Sequence, residues 1–93
     1  MILTETIRTK LQAAFSPIDL RIEDESRFHE GHSGSRAGGE THFRVTIVSS
    51  VFQGLTRLER QRRVHQALAD ELKSRIHALS LSLSTPDEAS GVR

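Results

Sequence analysis

The sequence contains no cysteine, tryptophan or tyrosine, and it has only four phenylalanines. Without cysteine the chain cannot form a disulfide, and a metal site would need histidine, aspartate or glutamate, or ligands from a partner. The scarcity of aromatic residues leaves Leu, Ile, Val and Ala to build most of the core. A reducing, cytoplasmic location fits this composition.

Long hydrophobic runs and a strong charge imbalance are also absent. No apolar run approaches the ~18 residues that cross a bilayer, and Glu5 interrupts a start that lacks the apolar stretch of a secretory signal. We therefore expect no membrane partner. The formal net charge of +1 does not by itself indicate nucleic-acid binding, although basic residues can still cluster on one face. The length of 93 residues predicts a single domain over residues 1–93.

The first half of the chain alternates between helical and strand periodicity. An apolar stripe predicts a helix over about residues 2–15, which Pro17 ends. Two period-two segments then predict strands that pair antiparallel, and they flank a glycine-rich loop at residues 27–39. The helix stripe consists of Leu3, Ile7, Leu11 and Ala14, and the strand faces consist of Ile18, Leu20 and Ile22, then Phe43, Val45 and Ile47.

The second half begins with a helix signal and ends with another. Thr56 and Glu59 have the spacing of a capping box, which predicts a helix over residues 57–74. Residues 76–83 alternate as a strand, and Thr85 to Glu88 predict one terminal turn before a mobile tail at 89–93. The apolar side of the helix consists of Leu58, Val64, Leu68, Ala69 and Leu72, with His65 packed among them, and the strand face consists of His77, Leu79, Leu81 and Leu83.

This order of elements predicts an α+β fold. A strand–helix–strand connection favours parallel pairing of the last two strands, whereas the first two pair antiparallel. We therefore expect a mixed three-stranded sheet with helices on one face, in the order α-β-β-α-β with a terminal helical turn.

Several segments together resemble the BolA family, over roughly residues 2–88. No single segment is specific, but their order and spacing are. The segments are DES at 24–26 followed by His29, ETHFRV at 40–45, VSS at 48–50 with Phe52 and Gly54, ALADEL at 67–72 and IHALSL at 76–81. Two departures stand out: Arg60-Gln61-Arg62 replaces a frequent Arg-His-Arg, and the loop before Glu40 is longer than in many members.

The resemblance implies a fold similar to the class II KH domain and a partnership with a monothiol glutaredoxin. In that picture the two proteins share a [2Fe–2S] cluster, with thiolates from the glutaredoxin cysteine and from glutathione, and imidazole from the BolA-like protein. Cluster trafficking, iron or redox regulation and transcriptional regulation are the roles that the resemblance implies. No cofactor is expected on the chain alone, and the sequence leaves open whether two copies form a homodimer.

Three histidines are candidate cluster ligands. His77 lies in the segment where the family has its invariant histidine, and the family places a second ligand in the loop that here contains His29 and His32. Counting from residue 24 selects His29, whereas counting back from Glu40 selects His32, which Gly31 and Gly34 flank. Both remain candidates. His42 should point away from the core, in a surface or cross-strand role.

Nucleic-acid binding is the alternative function. Four arginines make the long helix basic, and phosphate binding needs little more than such a cluster. The KH-like fold supports this alternative, but the GxxG sequence at 31–34 lies between strands, whereas KH domains use a GxxG loop between helices. The cluster, which could equally contact a protein partner, consists of Arg57, Arg60, Arg62 and Arg63.

The sequence gives less support to catalysis and to stable zinc binding. No nucleophile motif, phosphate-binding loop or HExxH signature is present, so we expect no enzymatic activity. A zinc site made by His29, His32 and His77 would keep an open coordination position, and the glycine-rich loop would make it weak without a partner.

Overall fold

The computed structural model describes residues 3–25 and 42–91, in one α+β unit. The predicted loop at 27–39 therefore lies outside the described residues. The elements in chain order are α1 (Leu3–Phe15), β1 (Asp19–Asp24), β2 (His42–Val48), a 3₁₀ turn (Ser50–Phe52), α2 (Arg57–Ala67), α3 (Ala69–Ser74), β3 (Ala78–Ser84) and α4 (Pro86–Ser90).

Helix α1 buries one apolar stripe, as the sequence predicted. Leu3, Ile7 and Leu11 are fully buried, but Ala14 is exposed and Phe15 takes the fourth buried position. The stripe continues at a spacing of four, so the residue one turn after Leu11 faces the core and its neighbour does not. Ser16 ends the helix with a φ of 42°, in the left-handed region, and its N–H donates to the Gln12 carbonyl.

The three strands form one mixed sheet in the order β1-β2-β3. The β1–β2 pair is antiparallel and the β2–β3 pair is parallel, which confirms the predicted topology. Phe43, Val45 and Ile47 are buried beneath the helices, whereas Arg44 points to the opposite, exposed face. Ile18 was expected to share the buried face of β1, but it precedes the strand and is 71% exposed.

The predicted long helix is divided at Leu68 into α2 and α3. The capping box is present: Thr56 Oγ1 accepts from the Glu59 N–H, and Glu59 Oε1 accepts from the Thr56 N–H. Val64 and Leu68 are buried, but Leu58 and His65 are exposed, so their predicted burial is wrong. At 100° per residue they project about 120° and 100° away from Val64 around the helix.

Ala69 is also exposed, so its predicted burial is wrong. It begins α3 after the break at Leu68, and its position around the axis no longer follows the periodicity of α2. The half-buried Leu72 packs against the core. An ion pair connects α3 to α1: Lys10 Nζ donates to both carboxylate oxygens of the buried Glu71, at 2.7 and 2.9 Å. This pair ties α1 to α3.

A second capping box begins α4, which confirms the predicted terminal turn. Thr85 Oγ1 accepts from the Glu88 N–H, and Glu88 Oε1 accepts from the Thr85 N–H. Pro86 occupies the first turn, where its missing N–H costs nothing. Ala89 and Ser90, which were expected in the mobile tail, belong to α4, and Gly91 closes it with a φ of 82°.

Candidate functional site

His77 and His42 meet at one end of the sheet. His42 begins β2 and pairs in register with Ala78, the first residue of β3. His77 directly precedes that strand, and the two imidazole rings lie with centroids 5.2 Å apart and planes inclined by 42°. Of the two roles predicted for His42, on the surface or across the strands, the structure shows the cross-strand contact, and the neighbouring ring is that of His77.

His77 is exposed rather than aligned with the leucine face of β3. Alternation fails here because His77 lies before the strand. The N–H groups of Arg75 and Ile76 both donate to the Glu71 carbonyl, at 2.8 and 2.7 Å, so these residues complete the end of α3. The chain enters the sheet only at Ala78, and the imidazole projects from the rim.

The residues that flank the glycine-rich segment lie beside this histidine pair. The Glu25 N–H donates to the His42 carbonyl at 2.8 Å, which extends the antiparallel ladder by one residue. Arg44 Nε donates to Glu25 Oε2 at 3.2 Å and holds that carboxylate. The chain thus leaves the described sheet at Glu25 and re-enters it at His42, next to His77. His29 and His32 lie in the intervening segment, outside the described residues.

The donor set at this end of the sheet is incomplete as a metal site. Across residues 3–25 and 42–91 there is no group of three or more His, Asp or Glu side chains that could hold a metal ion, and the sequence has no cysteine. Structural zinc sites in proteins take four ligands. Within these ranges, His77 offers an exposed imidazole and His42 lies beside it.

Three of the four candidate docking arginines are exposed on α2: Arg57, Arg62 and Arg63. An acidic residue sits among them. The pKa of Glu59 is lowered, chiefly by the hydrogen bond from the Thr56 backbone, with smaller contributions from Arg63 and Arg62. The positive charge of this helix face is therefore partly offset by Glu59.

Arg60 does not belong to the exposed cluster, because its side chain is 12% exposed and its guanidinium donates to three other residues. Its Nη1 and Nη2 donate to Glu88 Oε1 and Oε2 at 2.6 and 3.2 Å. The same guanidinium donates to the carbonyls of Leu55 and Leu83 at 3.1 and 3.3 Å and lies over the Phe52 ring. Its hydrogen bond, followed by that of the Thr85 N–H, lowers the pKa of Glu88 to about 2. Sequence reasoning missed this contact because the partners are far apart in the chain.

Ser49 is a buried polar residue that sequence reasoning did not single out for a role. Its Oγ donates to the Phe15 carbonyl at 2.6 Å and accepts from the Val51 N–H at 3.2 Å. Its backbone N–H donates to the Ser84 carbonyl at 3.0 Å. Ser49 thus joins the ends of α1, β2 and β3, and this role is structural.

No helix in the described part of the chain is long and apolar enough to cross a membrane. The cytoplasmic location stays a prediction.

A family model described as BolA-like protein matches residues 11–88. The human BolA-like protein 1 is 51% identical over 80 residues, which are 86% of this chain and 56% of the human protein. The chain thus spans about half the length of that relative. A Haemophilus influenzae protein named DNA-binding transcriptional regulator BolA is 41% identical over 88 residues, covering 95% of this chain and 82% of that protein.

The described fold is similar to a solved structure as well. BolA1 from Arabidopsis thaliana superposes with a TM-score of 0.85 at 41% identity, over 95% of this chain and 96% of that one. This likeness confirms the three-stranded mixed sheet with helices, whereas the relation to class II KH domains stays a prediction.

Proposed function

The chain belongs to the BolA family, and we propose that it binds a monothiol glutaredoxin and contributes imidazole to a [2Fe–2S] cluster that the two proteins share. The observation that carries the proposal is the exposed His77 at the rim of the sheet. We assign cluster trafficking or iron and redox regulation as the role of the complex, and no catalysis.

The chemistry of the donors supports an incomplete, shared site. Histidine ligates [2Fe–2S] centres through a neutral nitrogen and raises their reduction potential relative to all-thiolate ligation. This chain has no thiol to offer, so the thiolates would come from the glutaredoxin cysteine and from glutathione. A bound cluster would supply its iron and its redox chemistry, and this chain would supply and orient imidazole.

The second ligand of this chain is His32 or His29. Both lie in the segment that begins after Glu25 and ends before His42. The backbone N–H of Glu25 donates to the carbonyl of His42, at the end of the sheet where His42 and His77 meet. The exposed side chains of Arg57, Arg62 and Arg63 supply a basic docking surface for the partner.

Regulation through DNA binding is the second candidate function. It is favoured by the name of the Haemophilus influenzae relative and by the exposed arginines of α2. The engagement of Arg60 with Glu88 and the presence of Glu59 reduce the positive charge that this helix presents. The basic surface is therefore smaller than the sequence indicated.

Two variants separate these functions. We expect His77→Ala to alter the visible spectrum of the cluster in the complex and to leave DNA affinity nearly unchanged. We expect Arg62→Ala combined with Arg63→Ala to weaken DNA binding and flatten its salt dependence, because each arginine that contacts a phosphate releases counterions. His65→Ala, at an exposed histidine on α2, is the matched control for histidine loss. If both variants affected only DNA, the cluster proposal would be wrong.

A further inference from the structure

The two outer strands of the sheet differ sharply in how their edges are protected. β2 is central, so β1 and β3 each have one edge without a strand partner among the described residues. Exposed edges invite pairing with another chain, and charged side chains discourage it. The β1 strand is DLRIED, with four charges in six residues, whereas β3 is ALSLSLS, with no charge, proline or glycine in seven.

Backbone groups of alternate β3 residues point away from β2. The Ser84 carbonyl accepts from the Ser49 N–H, so Ser84 faces β2, and alternation turns Leu79, Leu81 and Leu83 to the open edge. The Leu83 carbonyl accepts from Arg60 Nη1 at 3.3 Å. Within residues 3–25 and 42–91, the outward N–H and C=O groups of Leu79 and Leu81 have no partner.

We propose that the β3 edge is a self-association surface, on which a second copy of this chain pairs antiparallel. Leu79 of one copy lies opposite Leu81 of the other, and the exchange of both N–H···O bonds in the two symmetric pairs gives four hydrogen bonds. The two sheets then join into one of six strands. The four hydrogen bonds use neither imidazole nor metal, and in this register His77 of each copy lies opposite Leu83 of the other.

The position of Arg60 selects this register. With Leu79 opposite Leu81, the twofold axis passes beside Ser80, and Leu83 lies outside the hydrogen-bonded pairs. A shift that placed Leu81 opposite itself would require the Leu83 carbonyl to accept from a Leu79 N–H while it already accepts from Arg60. The guanidinium therefore disfavours a second donor at the Leu83 carbonyl and favours pairing that stops at Leu81.

The side chains of β3 favour a second copy over a different strand. Leucines alternate with serines, so antiparallel pairing sets leucine beside leucine on the helix-covered face and serine beside serine on the open face. Leu79 and Leu81 are only half-buried in the described chain, and pairing removes more of their apolar surface from water. No like charges meet along the strand.

The resulting dimer is weak and concentration-dependent. Four hydrogen bonds and two leucines per copy cover less than the roughly 1,200 Å² that stable, specific interfaces bury. We therefore expect dissociation at low protein concentration.

Sedimentation equilibrium of the full 93-residue chain over a range of concentrations tests the proposal. Ser80 is exposed and meets Ser80 of the second copy, where strand backbones approach most closely. Ser80→Lys should raise the dimer Kd about fivefold through like-charge repulsion. Ser82→Lys is the matched control: Ser82 is also exposed but lies opposite Ala78, so the Kd should stay within about twofold of wild type.

A mixture of variants makes the test specific. An equimolar mixture of Ser80→Lys and Ser80→Glu should recover dimer at or below the wild-type Kd, because opposite charges then face each other. A wild-type chain that stays monomeric at millimolar concentration overturns the proposal. So does a dimer that neither variant weakens, or that both lysine variants weaken equally, since either result places the contact elsewhere. Circular dichroism of each variant checks that the fold is retained.

Discussion

The imidazole of His42 lies against that of His77, with ring centroids 5.2 Å apart, because parallel pairing places the first residue of β2 beside the first residue of β3. His77 precedes its strand and lacks the support that a strand position would give. Among the described residues, the ring of His42 is an aromatic contact that restricts the orientation of the His77 imidazole.

This contact predicts an effect of His42→Ala on the shared cluster. Ring contacts contribute about 0.5–1.5 kcal/mol, so loss of this contact should weaken the complex by a few-fold while leaving a cluster spectrum of wild-type form. Titration of the variant with a cluster-loaded glutaredoxin measures both quantities. His65→Ala should leave both unchanged. A His42→Ala complex with wild-type affinity would show that His42 does not position His77.

The Arg60–Glu88 ion pair predicts a pH-dependent contribution to stability. The hydrogen bond from Arg60, together with the one from the Thr85 N–H, holds the pKa of Glu88 at about 2 in the folded chain, below the ordinary value of 4.5. Because the pKa of Glu88 is lower in the folded than in the unfolded chain, its ionised carboxylate stabilises the fold fully at pH values above about 4.5. This stabilisation is lost as the pH falls from about 4.5 through about 2. Glu88→Gln should therefore be less stable than wild type at pH 7 and should match it near pH 2.

Urea unfolding of Glu88→Gln and wild type across this pH range measures the difference. Asp87→Asn, at the exposed position before Glu88, is the control for loss of a carboxylate in α4. A difference between Glu88→Gln and wild type that stayed constant down to pH 2 would contradict the account.

Substitution of Arg60 should destabilise the fold, whereas substitution of Arg63 should change only the surface charge. Arg60→Ala removes hydrogen bonds to Leu55, Leu83 and Glu88, and we expect it to lower the free energy of unfolding by about 2 kcal/mol. Arg63→Ala changes an exposed residue and should stay within about 0.5 kcal/mol of wild type. Chemical denaturation measures both. Equal losses from the two variants would contradict the assignment of Arg60 to the fold.

Ser49 should be a sensitive position for stability. Ser49→Ala leaves the Phe15 carbonyl and the Val51 N–H without their side-chain partner in a buried site, at a cost of about 2 kcal/mol. Ser50→Ala, at the neighbouring exposed position, is the control and should be nearly neutral. Thermal unfolding compares them. A Ser49→Ala variant as stable as Ser50→Ala would mean that water satisfies both groups.

Local patterns predicted much of the fold because they depend on near neighbours. Period-two alternation at Phe43, Val45 and Ile47 located β2, and the spacing of Thr56 and Glu59 located the start of α2. The strand and the helix start could be predicted because each depends on residues a few positions apart. The choice of His77 as a candidate ligand rested instead on the family resemblance.

Features that depend on distant partners could not be predicted in this way. Arg60 was grouped with the exposed arginines because its sequence neighbours are basic, yet its environment comes from Glu88 on α4. His65 was placed on the buried side of one long helix, but the helix ends at Ala67 and His65 turns to solvent. The contact of His77 with His42 depends on the register of a parallel pair, which alternation alone does not fix.

The most direct test of the central claim is an anaerobic titration of this protein into a [2Fe–2S]-loaded monothiol glutaredoxin, followed by visible circular dichroism. We expect a new spectrum that saturates near one-to-one and that His77→Ala changes. A glutaredoxin spectrum that stayed unchanged throughout the titration would contradict cluster sharing and would leave DNA binding as the leading function.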